Sequence, residues 1–292
     1  MSAAGNTNRW VLGARPRTLP AAVVPVAVGT AAAAGSGIIW WRAAAALVVS
    51  LALQVATNFV NDYADGERGT DNDRVGPVRL VGSGLATAKQ VKVAALLAFG
   101  VAGVVGGLLA LAVGPELFVV GAASILAGWA YTGGPKPYGY LGLGEVFVFV
   151  FFGLVATMGS FYIQTEAISA LSSWAAVLVG LLAVALLVIN NLRDIPGDTA
   201  AGKQTLAVRI GDANTRTLYV FLFVGVAVGV VACAVIRPPA ALGLIGLLAA
   251  IPPVKAVRQG MSGAGLIPVL GGTAKVQLAV GFFLTVGLAL GA

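Results

Sequence analysis

The chain has 292 residues, 59% of them hydrophobic and 10% charged, with mean hydropathy +0.94 and a formal net charge of +7. That composition excludes a soluble globular domain and points to an integral membrane protein. There is no histidine, and the one cysteine, Cys233, lies inside an apolar run; this excludes histidine-ligated haem or zinc, Ser-His catalysis and disulfides.

Apolar runs of roughly spanning length follow one another at 19–37, 43–63, 90–112, 116–132, 144–164, 172–193, 217–236, 238–254 and 275–291. They predict an all-α integral membrane protein of about nine transmembrane helices, forming a single domain over residues 1–292. Arg15, Pro16 and Arg17 lead straight into the first run, so no cleavable signal peptide is expected. With this helix order all of the 18 Lys and Arg residues except Arg42 and Arg237 fall on one side. The positive-inside rule then predicts a cytoplasmic N-terminus, cytoplasmic site loops and an outer C-terminus in the cell membrane. Basic residues that border membrane spans fit anionic membrane lipid or a diphosphate better than nucleic acid, which is not expected as a partner.

The cytoplasmic end of the second run reads Asn58-Phe-Val-Asn61-Asp62-Tyr-Ala-Asp65, with Asp71 and Asp73 behind it. On a helix Asn61, Asp65, Asn58 and Asp62 fall within an arc of about 100°, so all four can face one cavity. On the third run Gly103 and Gly107 form a small-residue pair, read as a helix packing contact. The sixth run ends in Asn190-Asn191-Leu-Arg193-Asp194-Ile-Pro-Gly-Asp198, where Asn190, Asn191, Asp194 and Asp198 also span about 100°. Pro196 predicts a kink or a stop just before itself, with Asp198 reaching inward from a turn. Each cluster is followed by a charged stretch, 66–89 and 195–216, expected to be a long functional loop. The two halves look like a weak internal repeat.

Clustered carboxylates beside hydrocarbon carry a heavy desolvation cost unless something compensates. A hard divalent cation is the natural compensator. Oxygen ligands suit Mg²⁺, which keeps several waters and meets one or two carboxylates plus substrate phosphates. Basic residues nearby, Arg68, Arg74, Arg79, Lys136, Arg193, Lys203 and Arg209, are candidates to hold a leaving diphosphate. Lys136 stands out as the one base in the segment Tyr131-Thr-Gly-Gly-Pro-Lys136-Pro-Tyr138-Gly-Tyr140, whose rings can flank a carbocation or sit as interfacial tyrosines. Glu145 opens the next helix, where it either complements the helix dipole or acts as a base.

The paired acidic motifs on the second and sixth of nine helices resemble those of the UbiA-type intramembrane prenyltransferases. Five blocks look like the branch of that family that prenylates 1,4-dihydroxy-2-naphthoate in menaquinone synthesis, in particular its actinobacterial members. They are Ala14-Arg-Pro-Arg-Thr-Leu19, Asn61-Asp-Tyr-Ala-Asp65 with Gly69-Thr-Asp71, Arg74-Val-Gly-Pro-Val-Arg79, Tyr131-Thr-Gly-Gly-Pro-Lys-Pro-Tyr138 and Asn190-Asn-Leu-Arg-Asp194. The resemblance implies a UbiA-like fold with helices around a central cavity. It also implies Mg²⁺ held through the diphosphate by Asn61, Asp65, Asp194 and Asp198, with Asp62 and Asp71 as further metal candidates. The family motif has an Asp where this chain has Gly69, so Asp71 is expected to take that place. Tyr131 and Lys136 stand one residue further apart than in the general tyrosine-lysine motif. On this resemblance Lys136, Tyr131 and Arg193 are the catalytic candidates. Asn58, Arg68, Arg74, Arg79, Tyr138, Asn190, Asn191 and Lys203 are expected to bind the substrates, polyprenyl diphosphate and 1,4-dihydroxy-2-naphthoate. The implied products are demethylmenaquinone, diphosphate and CO₂.

Three rival readings remain at this point. A cation-coupled transporter would place its ionisable residues near the midplane on broken helices, whereas these lie at helix ends. A membrane phosphatidyltransferase also uses Asp and Mg²⁺, but its signature is not matched at Asp65-Gly66. A UbiA-type enzyme for another aromatic acceptor, such as 4-hydroxybenzoate or homogentisate, differs by the Thr-Gly-Gly-Pro-Lys block.

Overall fold

A computed structural model of the protein describes residues 8–69 and 78–292. Asp71, Asp73 and Arg74 lie outside the described residues. Within them the chain is helical and forms no strand. We number the helices α1 (Arg9–Ala14), α2 (Pro20–Ala32), α3 (Trp40–Glu67), α4 (Ala88–Val113), α5 (Glu116–Ala130), α6 (Gly144–Thr165), α7 (Ala170–Ala200), α8 (Leu206–Ile236), α9 (Pro238–Arg258) and α10 (Gly263–Leu290). Among the described residues seven of these, α3, α4 and α6 to α10, are long and apolar enough to cross a membrane. The protein is thus a multi-pass membrane protein. The other two predicted spans correspond to α2 and α5, which are apolar but short. At 1.5 Å per residue α2 reaches about 20 Å, less than the hydrocarbon thickness of about 30 Å.

Local sequence explains the boundaries. Thr87 and Gln90 form a capping box that starts α4, and Ser169 with Ser172 does the same for α7. α7 is the hub of the bundle: Leu178, Leu182, Val188 and Ile189 along it are fully buried against α6, α8 and α10. α6 is wound as a π-helix over Phe149–Met158, and it meets α7 where Gly153 faces Gly180. A β-carbon at either glycine would strike the other's backbone, so the helices approach this closely because both positions lack one.

Two expectations need correction. The stretch 195–216 is not a long loop: α7 runs through Pro196 to Ala200, and α8 resumes at Leu206 with a break at Gly211. Pro196 is exposed, and the helix continues past it to Ala200, so Asp198 stays helical. At the end of the bundle opposite the acidic clusters, Arg42 donates to Ala112 O (3.2 Å) and Ile163 O (2.7 Å), and Arg237 to Ala31 O (3.3 Å) and Leu288 O (2.8 Å). These carbonyls belong to the last turns of α4, α6, α2 and α10, which have no helical amide left to accept from. The two arginines that broke the charge pattern thus close four helix C-termini.

Candidate active site

A cavity of about 850 Å³ runs between α2, α3, α4, α5 and α6. Its walls are apolar along most of its length, including Val49, Leu53, Phe118, Ile125, Phe151 and Val155. At one end they become polar, with Arg15, Asn61, Arg79, Tyr131, Tyr138 and Asn190. Gly103 and Gly107, read from sequence as packing residues, line the apolar part. A β-carbon on either would have its nearest neighbour 3.8 Å away, so these glycines leave room instead of drawing helices together.

The first acidic cluster divides by face. Asn61 lines the cavity and accepts a 2.5 Å hydrogen bond from the Thr132 hydroxyl. One turn on, Asp65 is buried where three elements meet. Its Oδ1 accepts from the Tyr140 hydroxyl (2.5 Å) and from Lys203 Nζ (3.1 Å), and Arg79 Nη2 lies 3.9 Å from its Oδ2. Asp62 is turned away from this group, which corrects the expectation of four cavity-facing side chains. It is fully buried and its two oxygens accept from the backbone amides of Leu80 (2.8 Å) and Val81 (3.0 Å). Asn58 touches the cavity, but its amide is committed to Ala14 O (2.9 Å) and Thr18 Oγ1 (3.0 Å) and its oxygen accepts from Gln54 (3.3 Å). Both residues therefore hold structure: Asn58 pins the N-terminal segment and Asp62 the turn before α4.

The second cluster is organised around a cation. Arg193 is buried and forms a two-pronged pair with Asp194, both contacts 2.7 Å, while its Nη2 also donates to Asn190 Oδ1 (2.8 Å). Arg193 Nη1 is buried without a hydrogen-bond partner among the described residues. Asn190 carries this group to the cavity wall. Asn191, on the next face, donates to Glu145 Oε1 (3.0 Å) and sits away from the cavity.

The segment between α5 and α6 ties the clusters together. Arg68 donates 2.6 Å hydrogen bonds to Thr132 O and Gly134 O, so it clamps this segment and does not project freely toward a phosphate. Lys203 lies 4.5 Å from the Tyr140 ring centroid. The Tyr138 hydroxyl donates to Ala127 O (2.9 Å) and its ring stacks on Phe147, centroids 3.8 Å apart. Lys136, singled out from sequence, is exposed on this segment and makes no ion pair among the described residues. Lys203 and Arg79 are the described cations against Asp65. Thr132 was not among the candidate site residues, and Tyr140 was considered only for its ring; their hydrogen bonds to Asn61 and Asp65 arise between segments distant in sequence.

Burial is the main reason the Tyr131 phenol is pushed well above the ordinary tyrosine value, followed by Glu145, Tyr138, Asp65 and Asp198. Tyr131, on the cavity wall, thus lies in the field of both acidic clusters. Burial first, then the charge of Asp65, likewise raises Tyr140, which therefore stays a hydrogen-bond donor at neutral pH.

Asn61, Asp65, Asp194 and Asp198, the ligands expected from the sequence, would offer only hard oxygens. Among the described residues no three Asp, Glu, His or Cys side chains form a ready cage for a metal. Such a site fits a hard divalent cation that arrives with diphosphate and takes most of its ligands from phosphate and water. The unpartnered Nη1 of buried Arg193 fits a phosphate oxygen in the same way.

The sequence profile of the UbiA prenyltransferase family matches residues 22–260. The chain is 48% identical over 284 residues to a 1,4-dihydroxy-2-naphthoate octaprenyltransferase of Mycobacterium tuberculosis, covering 97% of each chain. It is 36% identical over 301 residues to a protein of the same name from Escherichia coli K12, covering 97% of this chain and 96% of that one. In three dimensions it resembles a UbiA homologue from Archaeoglobus fulgidus bound to GPP and Mg²⁺, with TM-score 0.69, 14% identity and coverage of 96% of this chain and 100% of the other. A UbiA homologue from Aeropyrum pernix K1 superposes with TM-score 0.72 at 13% identity, over 91% and 97% of the two chains.

Proposed function

The chain belongs to the UbiA prenyltransferase family, and from that premise we propose that it transfers a polyprenyl group from polyprenyl diphosphate to 1,4-dihydroxy-2-naphthoate, releasing diphosphate and CO₂ and yielding demethylmenaquinone in its reduced, hydroquinone form, which becomes the quinone on later oxidation by air or another oxidant. The acceptor follows from the names of relatives that match nearly the whole chain. The observation that carries the chemistry is that Asn61 of one cluster and Asn190 of the other both line the polar end of a long apolar cavity, beside Arg79 and Tyr131.

The cavity sorts the substrate by polarity. Hydrocarbon walls take the prenyl tail, and the charged end takes the diphosphate. Lys203, Arg79 and Arg193, which lie against Asp65 and Asp194, would donate to diphosphate oxygens and stabilise the charge that grows as the allylic C–O bond breaks. Mg²⁺, held through the diphosphate by Asn61, Asp65, Asp194 and Asp198, would neutralise charge on the leaving group. The aromatic walls formed by Tyr131, Tyr138 and Phe147 face the resulting allylic cation and keep water from it. The ring carbon of the acceptor that bears the carboxylate then attacks, and loss of CO₂ restores the aromatic ring.

The same reading places the protein in the cell membrane with its N-terminus and site at the cytoplasmic face and its C-terminus outside. It rests on the distribution of basic residues along the chain.

The test is an assay of purified protein with 1,4-dihydroxy-2-naphthoate, a long polyprenyl diphosphate and Mg²⁺, with and without chelator, following quinone product and CO₂. Metal-dependent demethylmenaquinone formation is expected. Turnover with a different aromatic acceptor in its place would move the substrate, and no prenyl transfer to any aromatic would overturn the reading.

A further inference from the structure

Helix α1 stands between two hollows. Its Leu12, and Arg15 just beyond it, line the active-site cavity. Its Trp10 lines a second space, an open groove of about 580 Å³ whose other walls include Phe59 of α3 and Lys89, Val93, Ala94 and Leu97 of α4. The groove lies at the end of the bundle that carries the acidic clusters, and none of these wall residues takes part in the reaction above.

The groove changes character along its length. At its rim Lys89 is exposed, and the Arg9 guanidinium stands 5.2 Å from the Trp10 ring centroid, held there by a hydrogen bond to Leu85 O (2.8 Å). Below the rim the walls are aromatic and aliphatic. Trp10 meets Phe59 edge-on with centroids 5.9 Å apart, and Val93 and Leu97, one turn apart, are 48% and 67% exposed. The rise from Lys89 to Leu97 is about 12 Å, close to the depth of hydrocarbon in one leaflet, about 15 Å. Lys92 belongs elsewhere, since its ammonium lies over the rings of Tyr63 and Trp129.

Two cations above an apolar groove match an anionic headgroup with an acyl chain beneath it. We propose that the groove binds one anionic phospholipid, its phosphate against Lys89 and Arg9 and an acyl chain along Trp10, Val93 and Leu97, and that this lipid steadies the wall of the active site through α1. The charge favours a phospholipid over the prenyl diphosphate. A phosphodiester carries a single negative charge, which two cations satisfy, whereas a diphosphate carries several and is matched by a divalent metal, and no carboxylate is among the described residues of the groove to hold one.

The packing of α1 gives the lipid a route to the site. Gly13 lies so close to α3 and to the 78–86 turn that a β-carbon there would stand 2.6 Å from Leu80 Cδ1 and 2.7 Å from Phe59 Cε1. The same turn supplies Leu85 O to Arg9 and carries Arg79, whose Nη2 lies 3.9 Å from Asp65. A headgroup on Arg9 and a chain on Trp10 therefore bear on one unit that brings Leu12, Arg15 and Arg79 to the cavity.

The test uses the full chain in phosphatidylcholine vesicles with and without phosphatidylglycerol. Brominated acyl chains quench nearby indole fluorescence, and the difference between wild type and Trp10→Phe isolates Trp10 from the other tryptophans. At equal mole fraction brominated phosphatidylglycerol is expected to quench Trp10 more than brominated phosphatidylcholine does, and Lys89→Ala is expected to weaken that preference about fivefold. Lys255→Ala, which removes an exposed cation at the same end of the bundle but outside the groove, is expected to leave it unchanged. Equal quenching by the two lipids, or an equal loss in Lys255→Ala, overturns the site. The activity arm rests on the reaction proposed above: phosphatidylglycerol is expected to raise wild-type kcat about fivefold, and Lys89→Ala to match wild type in pure phosphatidylcholine while losing that rise. A rise retained in Lys89→Ala overturns the link to the active site. A higher KM for the prenyl diphosphate in Lys89→Ala with either lipid overturns the choice of occupant. Wild type that transfers no prenyl group in any vesicle removes the functional reading, while the quenching result still decides the lipid site.

Discussion

The two acidic clusters look alike in sequence and are built differently. On α3 the four polar residues share an arc but not a purpose. Asn61 and Asp65 serve the site, while Asn58 and Asp62 fasten neighbouring segments to the helix. On α7 Arg193 binds the neighbouring Asp194 and, one turn back, Asn190, while Asn191 reaches across to Glu145 on α6. The first cluster receives its cations from elsewhere, Lys203 from the α7–α8 connection and Arg79 from the turn before α4. The second carries its cation in the motif. A repeated pattern of Asn and Asp thus marks where charge is needed, and the third dimension decides which of the carboxylates meets substrate.

The largest effect that would test this division is at Asp65. Asp65→Asn keeps the shape and the Tyr140 contact but removes the charge that draws Lys203 and Arg79 into place. Prenyl transfer is expected to fall by about 10³-fold or more with little change in melting temperature, on the scale of lost electrostatic stabilisation. Asp194→Ala is expected to lose activity to a similar degree and stability as well, because it leaves the buried Arg193 without its partner. Loss of stability at Asp65 but not at Asp194 would reverse the comparison.

Asp62 should behave in the opposite way. Removing its carboxylate leaves the amides of Leu80 and Val81 unsatisfied in a buried setting, a cost of about 3 kcal/mol. Thermal unfolding of Asp62→Ala in detergent is expected to show that loss, while the folded fraction keeps kcat within about threefold of wild type. A collapse of kcat in well-folded Asp62→Ala would return it to the metal ligands. Lys203→Ala comes next: with Asp65 losing its 3.1 Å partner, kcat is expected to fall about 30-fold, an effect of about 2 kcal/mol.

Much of this could be read from the sequence. Long apolar runs located seven helices long enough to span and two shorter apolar ones, because hydrocarbon leaves the backbone few alternatives to a helix. Helical periodicity placed Asn61 and Asp65 on one face. Periodicity also placed Asp62 there, and it failed because an arc of about 100° is wide enough to face both the cavity and the 78–86 turn. Which neighbour claims Asp62 depends on where Leu80 and Val81 are folded back, a contact 18 residues distant in sequence. For the same reason the sequence offered only the ring of Tyr140 and not its hydroxyl, which meets a carboxylate 75 residues away. Pro196 misled because the helix runs on through it to Ala200, which the local preference of proline does not foretell.

The smallest effect is expected at Lys136, and it separates sequence context from position most sharply. Its setting among glycines, prolines and tyrosines made it conspicuous, yet the same segment is held by Arg68 through Thr132 O and Gly134 O and presents Tyr138 and Tyr140 inward. Its inward-facing positions are thereby taken, and Lys136 is left exposed. A solvated ammonium at that position is screened within about 10 Å at ordinary ionic strength, so it contributes to attracting an anionic substrate more than to holding it. Lys136→Ala is accordingly expected to leave kcat within about threefold and to raise KM for the prenyl diphosphate modestly, an effect that fades as salt is added. Steady-state kinetics at low and high ionic strength distinguish this from a direct role, for which kcat would fall as far as in Lys203→Ala and salt would not conceal it.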